Sequence, residues 1–152
     1  IVLLMIGSGK LESHIKNMVE KYCLKENVRI VGFVKTKEQL AKYYLASDLL
    51  VLPSIHDPSP KVINESMNLS LPVVVSDLVG TANDLVIHKY NGMVFEHDNL
   101  EDLVLKITLA FNENNLSRLS KNAKQTIPLW SNEKGIENVK SVLKKVTHGT
   151  KG

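Results

Sequence analysis

Two carboxylates stand with seven residues between them in a stretch built of turn-forming and helix-starting residues, Pro53-Ser54-Ile55-His56-Asp57-Pro58-Ser59-Pro60-Lys61-Val62-Ile63-Asn64-Glu65. The prolines stop any earlier helix and suit the start of a new one. Asp57 is therefore expected in a loop, and Glu65 about one turn inside a helix that begins near Ser59. The free N–H groups and positive dipole end of such a helix attract anions, while carboxylates accept hydrogen bonds from sugar hydroxyls. Phosphate on amides with hydroxyls on acids is chemistry suited to a nucleotide-sugar. Spacing alone leaves a solvated surface as the other reading. A second candidate is Gly7-Ser8-Gly9-Lys10, a glycine turn that could bring backbone amides to a phosphate. It is neither of two familiar motifs. A P-loop would need glycine at Leu4 and Ser or Thr at Leu11, and a dinucleotide fingerprint would need glycine at Glu12. A plain tight turn stays open there. His56 adjoins the first acid, but is read as a loop histidine and not as an acid–base catalyst.

These residues must be positioned by something. Short apolar runs at Ile1–Ile6, Val28–Val31, Asp48–Leu52, Val73–Ser76 and Met93–Phe95 predict strands. Several are continuous in Val, Leu and Ile, which implies burial on both faces, as in a parallel sheet covered by helices. Helices are predicted over Glu12–Lys25 (with Ile15, Met18, Val19 and Tyr22 on one stripe), Thr36–Ala46, Lys61–Leu69, Thr81–Val86, Leu100–Phe111 and near Leu116–Thr126. Thr36 followed by Gln39 is a capping box. After a break at Pro128, a last helix from about Asn132 carries Ile136, Val139, Leu143 and Val146 on one stripe. The alternation predicts an α/β fold, a doubly wound parallel sheet (Rossmann-like) flanked by helices. Ligands bind such sheets at the carboxyl ends of strands, where both candidates lie. Asp77 and Thr81, at another strand end, are read as caps of the next helix, and Asn91-Gly92 as a turn before the last strand.

The chain has 152 residues, enough for one domain, here residues 1–147 with a disordered tail over 148–152. A single cysteine, Cys23, excludes an internal disulfide and a cysteine-based zinc site. The net charge of +3, scattered and mostly lysine, argues against a nucleic-acid partner. With no Asp-x-Asp and no His/Cys cluster at ligand spacing, no metal or other cofactor is expected. The longest apolar run, Ile1–Ile6, is too short to span a bilayer, so the expected location is cytoplasmic. An opening directly in a strand, without methionine, reads as a cut from something longer.

Taken together, the motifs resemble those of the retaining glycosyltransferases of the GT-B fold, group 1 (family 4), and in particular their C-terminal, donor-binding lobe. The matching residues are Leu52-Pro53-Ser54, Asp57, Glu65-Ser66-Met67 and Leu71-Pro72-Val73-Val74-Val75. Upstream, Ile6-Gly7-Ser8-Gly9 and Val28 to Val34 fit the family's two turns. Downstream, Ser76-Asp77-Leu78-Val79-Gly80 and Asn91-Gly92-Met93-Val94 fit as well, with a weaker echo at Trp130-Ser131.

The resemblance implies roles. Glu65 would accept hydrogen bonds from the ribose hydroxyls, and Asp57 would contact hydroxyls of the transferred sugar. Ser59, Lys61 and Val62, beside Pro60, would meet the phosphates and the sugar through the backbone. Gly7, Ser8 and Gly9 would contact the donor, and Gly32, Phe33 and Val34 would line the base pocket, with Phe33 as a core residue still open. It implies a nucleotide-sugar donor, no metal, and a saccharide or lipid-linked acceptor held by an N-terminal lobe. Peripheral association with the inner face of the membrane would follow for the longer protein.

Departures from the pattern bear on activity. Asp57 replaces a glutamate, Pro60 a glycine and Ser66 an alanine, and the glycine before Pro-Val-Val falls at Ser70 or Leu71. The strand and helix that normally precede Ile1, with an Arg/Lys pair for the diphosphate, are not in the sequence. The fragment alone is therefore expected to be inactive. A non-catalytic nucleotide or nucleotide-sugar module is the alternative, and Glu12 argues against a dinucleotide-dependent oxidoreductase.

Overall fold

A computed structural model describes residues 1–80, 84–130, 136–137 and 139–140, in two compact units, Ile1–Tyr43 and Tyr44–Gly152. The first unit holds β1 (Leu3–Ile6), α1 (Glu12–Lys21), β2 (Val28–Gly32) and most of α2 (Lys37–Leu45). The strands are parallel, from Leu3 opposite Val28 to Met5 opposite Ile30, and a bulge then sets Ile6 opposite Gly32. The continuous apolar run of β1 predicted burial on both faces. Instead Leu3 is 48% and Ile6 40% exposed, because a two-stranded parallel sheet leaves both strands at an edge. On α1, Ile15 and Val19 are half-buried, while Met18 and Tyr22 are exposed. The α2 cap is as read: Thr36 Oγ1 accepts the Gln39 N–H at 3.2 Å.

The second unit holds β3 (Leu50–Leu52), α3 (Lys61–Asn68), β4 (Val73–Ser76), β5 (Gly92–Phe95), α4 (Leu100–Ala110) and α5 (Glu113–Thr126), then a 3₁₀ turn, Ile127–Trp130, at Pro128. All three strands are parallel, in the order β3-β4-β5. Every residue of β4 is buried. Its side chains alternate between two cores, as the period of a strand dictates. Val73 and Val75 pack with Ile63 and Met67 of α3 and with Ala123 and Ile127, whereas Val74 packs with Met93, Phe95, Ala110 and Leu119. Helices thus cover both faces. Fully burying each such valine contributes about 1.5–3 kcal/mol.

Two of the predicted elements differ. Asp84 and Leu85, inside the helix expected over Thr81–Val86, form a turn, and 81–83 lie outside the described residues. The reason is Asn91, fully buried, whose side chain takes the backbone groups a helix would have used. Its Oδ1 accepts the Ile87 N–H at 2.7 Å, and its Nδ2 donates to Leu85 O and Thr126 Oγ1, each at 3.0 Å. Asn91 therefore does more than make a turn, because it ties the β4–β5 connection to α5. Of the last helix, Ile136, Glu137, Val139 and Lys140 are helical, with Ile136 and Val139 exposed, not buried. Leu143, Val146, Ser131 and the 148–152 tail lie outside the described residues.

Ser70 occupies the place of a helix-ending glycine. It sits at φ 65°, with its N–H on Met67 O at 3.0 Å and the Leu71 N–H on Ser66 O at 3.0 Å, the paired bonds of a Schellman motif. A side chain in that conformation costs roughly 1 kcal/mol that glycine avoids. Ser70→Gly should therefore raise thermal stability by about 1 kcal/mol, read as a melting point roughly 2–4 °C higher; a lower melting point would contradict this account of the turn.

Candidate functional site

In the first unit, the turns after β1 and β2 meet. The Gly7 N–H donates to Gly32 O at 2.8 Å, and both glycines lie at positive φ, 129° and 79°. No atom lies within 4 Å of where a Cβ would stand on Gly7, Gly9 or Gly32, so the backbone is open to close approach. A cavity of about 280 Å³ adjoins this turn, lined by Gly7, Ser8 and Gly9 and also by Glu12. Glu12 stands in the first turn of α1, paired with Lys16 at 2.7 Å. A phosphate at that helix start would share it with a carboxylate. Phe33 is 71% exposed, which answers the core question in the negative. With Val34 it lines a second cavity of about 280 Å³ together with Gln39, Lys42 and Tyr43, of which only Gln39 stands out in the sequence, and then as a helix cap.

In the second unit, α3 begins at Lys61, where the predicted Lys61–Leu69 helix starts and two residues after the Ser59 suggested by the prolines. The local chemistry explains the delay. Asp57 Oδ1 accepts the Ser59 N–H at 3.3 Å, closing an Asx turn, and Pro60 is extended (φ −70°, ψ 114°) at the N-cap. The Ser59 amide, expected to face phosphate, is therefore engaged by Asp57. Pro60 is buried and has no N–H, so it packs instead of presenting a donor. Lys61 and Val62 are the first two residues of α3, and helix geometry leaves their N–H groups without intrahelical partners. Lys61 is exposed and Val62 half-buried. One turn on, Ile63, Ser66 and Met67 face the core while Glu65 is half-buried at its border. Ser66, in the place of alanine, is tolerated at full burial because its hydroxyl donates to Ile63 O at 2.9 Å. His56 is exposed, and among the described residues no group of three or more His, Cys, Asp or Glu could hold a metal ion.

The profile of "Glycosyl transferases group 1" matches residues 1–126, a span that includes α3 and the parallel strands of both units. The chain belongs to the group 1 glycosyltransferase family. An uncharacterized glycosyltransferase of Haemophilus influenzae is 30% identical over 142 residues, covering 93% of this chain. The chain spans 39% of that relative's length. Sucrose-phosphate synthase from Thermosynechococcus elongatus superposes with a TM-score of 0.77 at 25% identity, over 97% of this chain and 39% of that one. Anabaena HepE, in complex with UDP, has the same fold, with a TM-score of 0.72 at 23% identity, over 93% of this chain and 41% of that one. The α/β architecture with parallel sheets is that of GT-B glycosyltransferase lobes.

Sequence reasoning missed one partner of the glycosyltransferase's second acid. Tyr44, 6% exposed, donates its hydroxyl to Glu65 Oε2 at 3.4 Å. Burial, then the Glu65 charge and this hydrogen bond, push the phenol up to about 12. Folding thus favours the protonated phenol. That contribution is whole below the ordinary tyrosine value near 10 and is lost as pH rises towards 12. Its size is about 2–3 kcal/mol, by linkage. The extra loss of stability between pH 10 and 12 should disappear in Tyr44→Phe, measured as melting temperature against pH; equal slopes for the two proteins would contradict it. No sequence signal pairs a tyrosine on α2 with an acid on α3, since the contact is tertiary.

Proposed function

We propose that this chain is the donor-binding domain of a glycosyltransferase that moves a sugar from a nucleotide-sugar to a saccharide or lipid-linked acceptor with retained anomeric configuration. The observation that carries the reading is α3: two helix-start amides at Lys61 and Val62, then Glu65 held at the core border by Tyr44. Tyr44 takes Oε2, and Oε1 has no protein partner among the described residues, which suits it to accept from the ribose hydroxyls. Asp57 contacts hydroxyls of the transferred sugar. Gly7, Ser8 and Gly9 meet the donor backbone-first, and Gly32, Phe33 and Val34 line the base pocket, to which Gln39 and Lys42 add polar edges.

Transfer breaks the bond between the anomeric carbon and the diphosphate oxygen and forms one from that carbon to an acceptor hydroxyl oxygen, whose proton leaves with the nucleoside diphosphate or to solvent. Positive, oxocarbenium-like charge grows on the sugar and negative charge on the leaving nucleoside diphosphate. Amides, a helix start and Lys61 stabilise that leaving charge electrostatically, so the reading requires no metal. The acceptor is held by the remainder of a longer protein working at the cytoplasmic face of a membrane. HepE, of like fold, is known in complex with UDP, which makes UDP the first probe. A second reading, a nucleotide-binding module without transfer, is favoured by Pro60, which removes one amide donor.

Calorimetric titration separates these from a dinucleotide enzyme. UDP should bind with a dissociation constant of roughly 10 μM to 1 mM. NADH binding with no UDP binding would overturn both readings. Transfer of labelled sugar by the longer protein decides between the first and the second.

A further inference from the structure

We propose that Asp77 and His97 are positioning residues, whose pairing at the ends of β4 and β5 holds the Asp77–Gly80 strap against the Asp57 loop and so fixes Asp57. The chain of contacts is continuous. Asp77 Oδ1 accepts the His97 backbone N–H at 3.0 Å and lies 3.1 Å from His97 Nδ1, and the Asp77 N–H donates to Phe95 O at 2.9 Å. Asp77 is thus fastened to the end of β5 and does not cap a following helix. From there the strap turns on Ser76, whose Oγ accepts the Leu78 N–H at 3.2 Å, and Val79, 1% exposed, plugs into the core. It then reaches the acid loop. Val79 pairs with Asp57 in a parallel bridge, and the Gly80 N–H donates to Asp57 O at 3.0 Å. A Cβ on Gly80 would stand 2.3 Å from Pro58 O, so strap and loop touch backbone to backbone. Asp57 is held from one side by this strap and from the other by its own turn through Ser59.

The pair is an unusual place to look for stability. Asp77 and His97 side chains are each 42% exposed, and exposed ion pairs contribute little to folding. Their anchorage instead sets a location: without it, the strap keeps buried Val79, the Ser76 hydroxyl and the Asp77 N–H on Phe95 O, but loses its side-chain tie to the end of β5. The functional meaning rests on the reading that Asp57 touches the transferred sugar, but the geometry can be tested without any nucleotide.

The test is amide hydrogen exchange by NMR on the chain, with Asp77→Ala and Asp77→Asn. Asp77→Ala should speed exchange at Gly80 and Ser59, the two amides that Asp57 accepts, by about 10-fold or more, with β4 amides and the melting point nearly unchanged. Asp77→Asn keeps an oxygen acceptor at Oδ1 and should restore exchange to within about 3-fold of the parent. Unchanged exchange at Gly80 and Ser59 in Asp77→Ala, no rescue by Asp77→Asn, or faster exchange across β4 as well would each overturn the proposal. UDP titration of the parent chain runs alongside: absence of UDP binding would count against the proposed function while leaving the exchange result to stand by itself.

Discussion

Gly92→Ala is expected to destabilise the second unit by about 3 kcal/mol, lowering the melting point by roughly 10 °C. Gly92 opens β5 and pairs with Val73 of β4. An added Cβ would stand 2.7 Å from Val73 O, 2.8 Å from Val86 Cγ1 and 2.9 Å from Val73 Cγ2. Val73 cannot retreat, because β4 is buried on both faces and also pairs through Val73 with Leu50 of β3. Val86 is held in the same core by the turn that Asn91 organises. Gly9→Ala is the control, since its Cβ meets no atom within 4 Å and should change the melting point by no more than about 2 °C. Thermal unfolding followed by circular dichroism reads both. Equal melting points for the two variants would show that the β4–β5 pairing yields more easily than its packing implies.

The second large effect is on binding. Glu65→Ala should weaken UDP on the order of 100-fold, the size expected for losing charge-assisted hydrogen bonds to a diol. Glu65→Gln should also weaken UDP while leaving the fold intact, because the amide oxygen can still accept from Tyr44 and the core positions of α3, Ile63, Ser66 and Met67, are untouched. Calorimetry and thermal melting on the same samples separate the two quantities. A loss of cooperative melting in Glu65→Gln would make the residue structural.

Much of this was legible in the residues because it depends on local chemistry. Continuous Val-rich runs announce parallel strands, and β4 is the clearest case: Val73, Val74 and Val75 read as buried on both faces and are. The same pattern misled at β1, where the described unit has only two strands to share the burial. The starts of α1, α3 and α4 were legible to the residue, α3 following directly on the Asx turn of Asp57 and Pro60, whereas α5 begins at Glu113, three residues before Leu116. The Thr81–Val86 stretch looked helical because it falls between two strand runs, whereas a buried asparagine further along the chain satisfies Leu85 and Ile87 around a turn. The two acids stand out in the sequence as candidates by type and spacing. Their supports do not: Tyr44 reaches Glu65 from α2, and Asp77 reaches His97 across two strand ends. Such contacts join residues about 20 positions apart, and no periodicity carries them.

The central claim is that the Glu65 carboxylate grips the ribose diol of a nucleotide. A thermodynamic cycle tests it directly, with UDP and 2′,3′-dideoxy-UDP titrated against the parent chain and Glu65→Ala. The account predicts that removing the hydroxyls weakens binding to the parent by about 100-fold and binding to Glu65→Ala hardly at all. Two losses that simply multiply would mean that acid and diol never meet, and would contradict it.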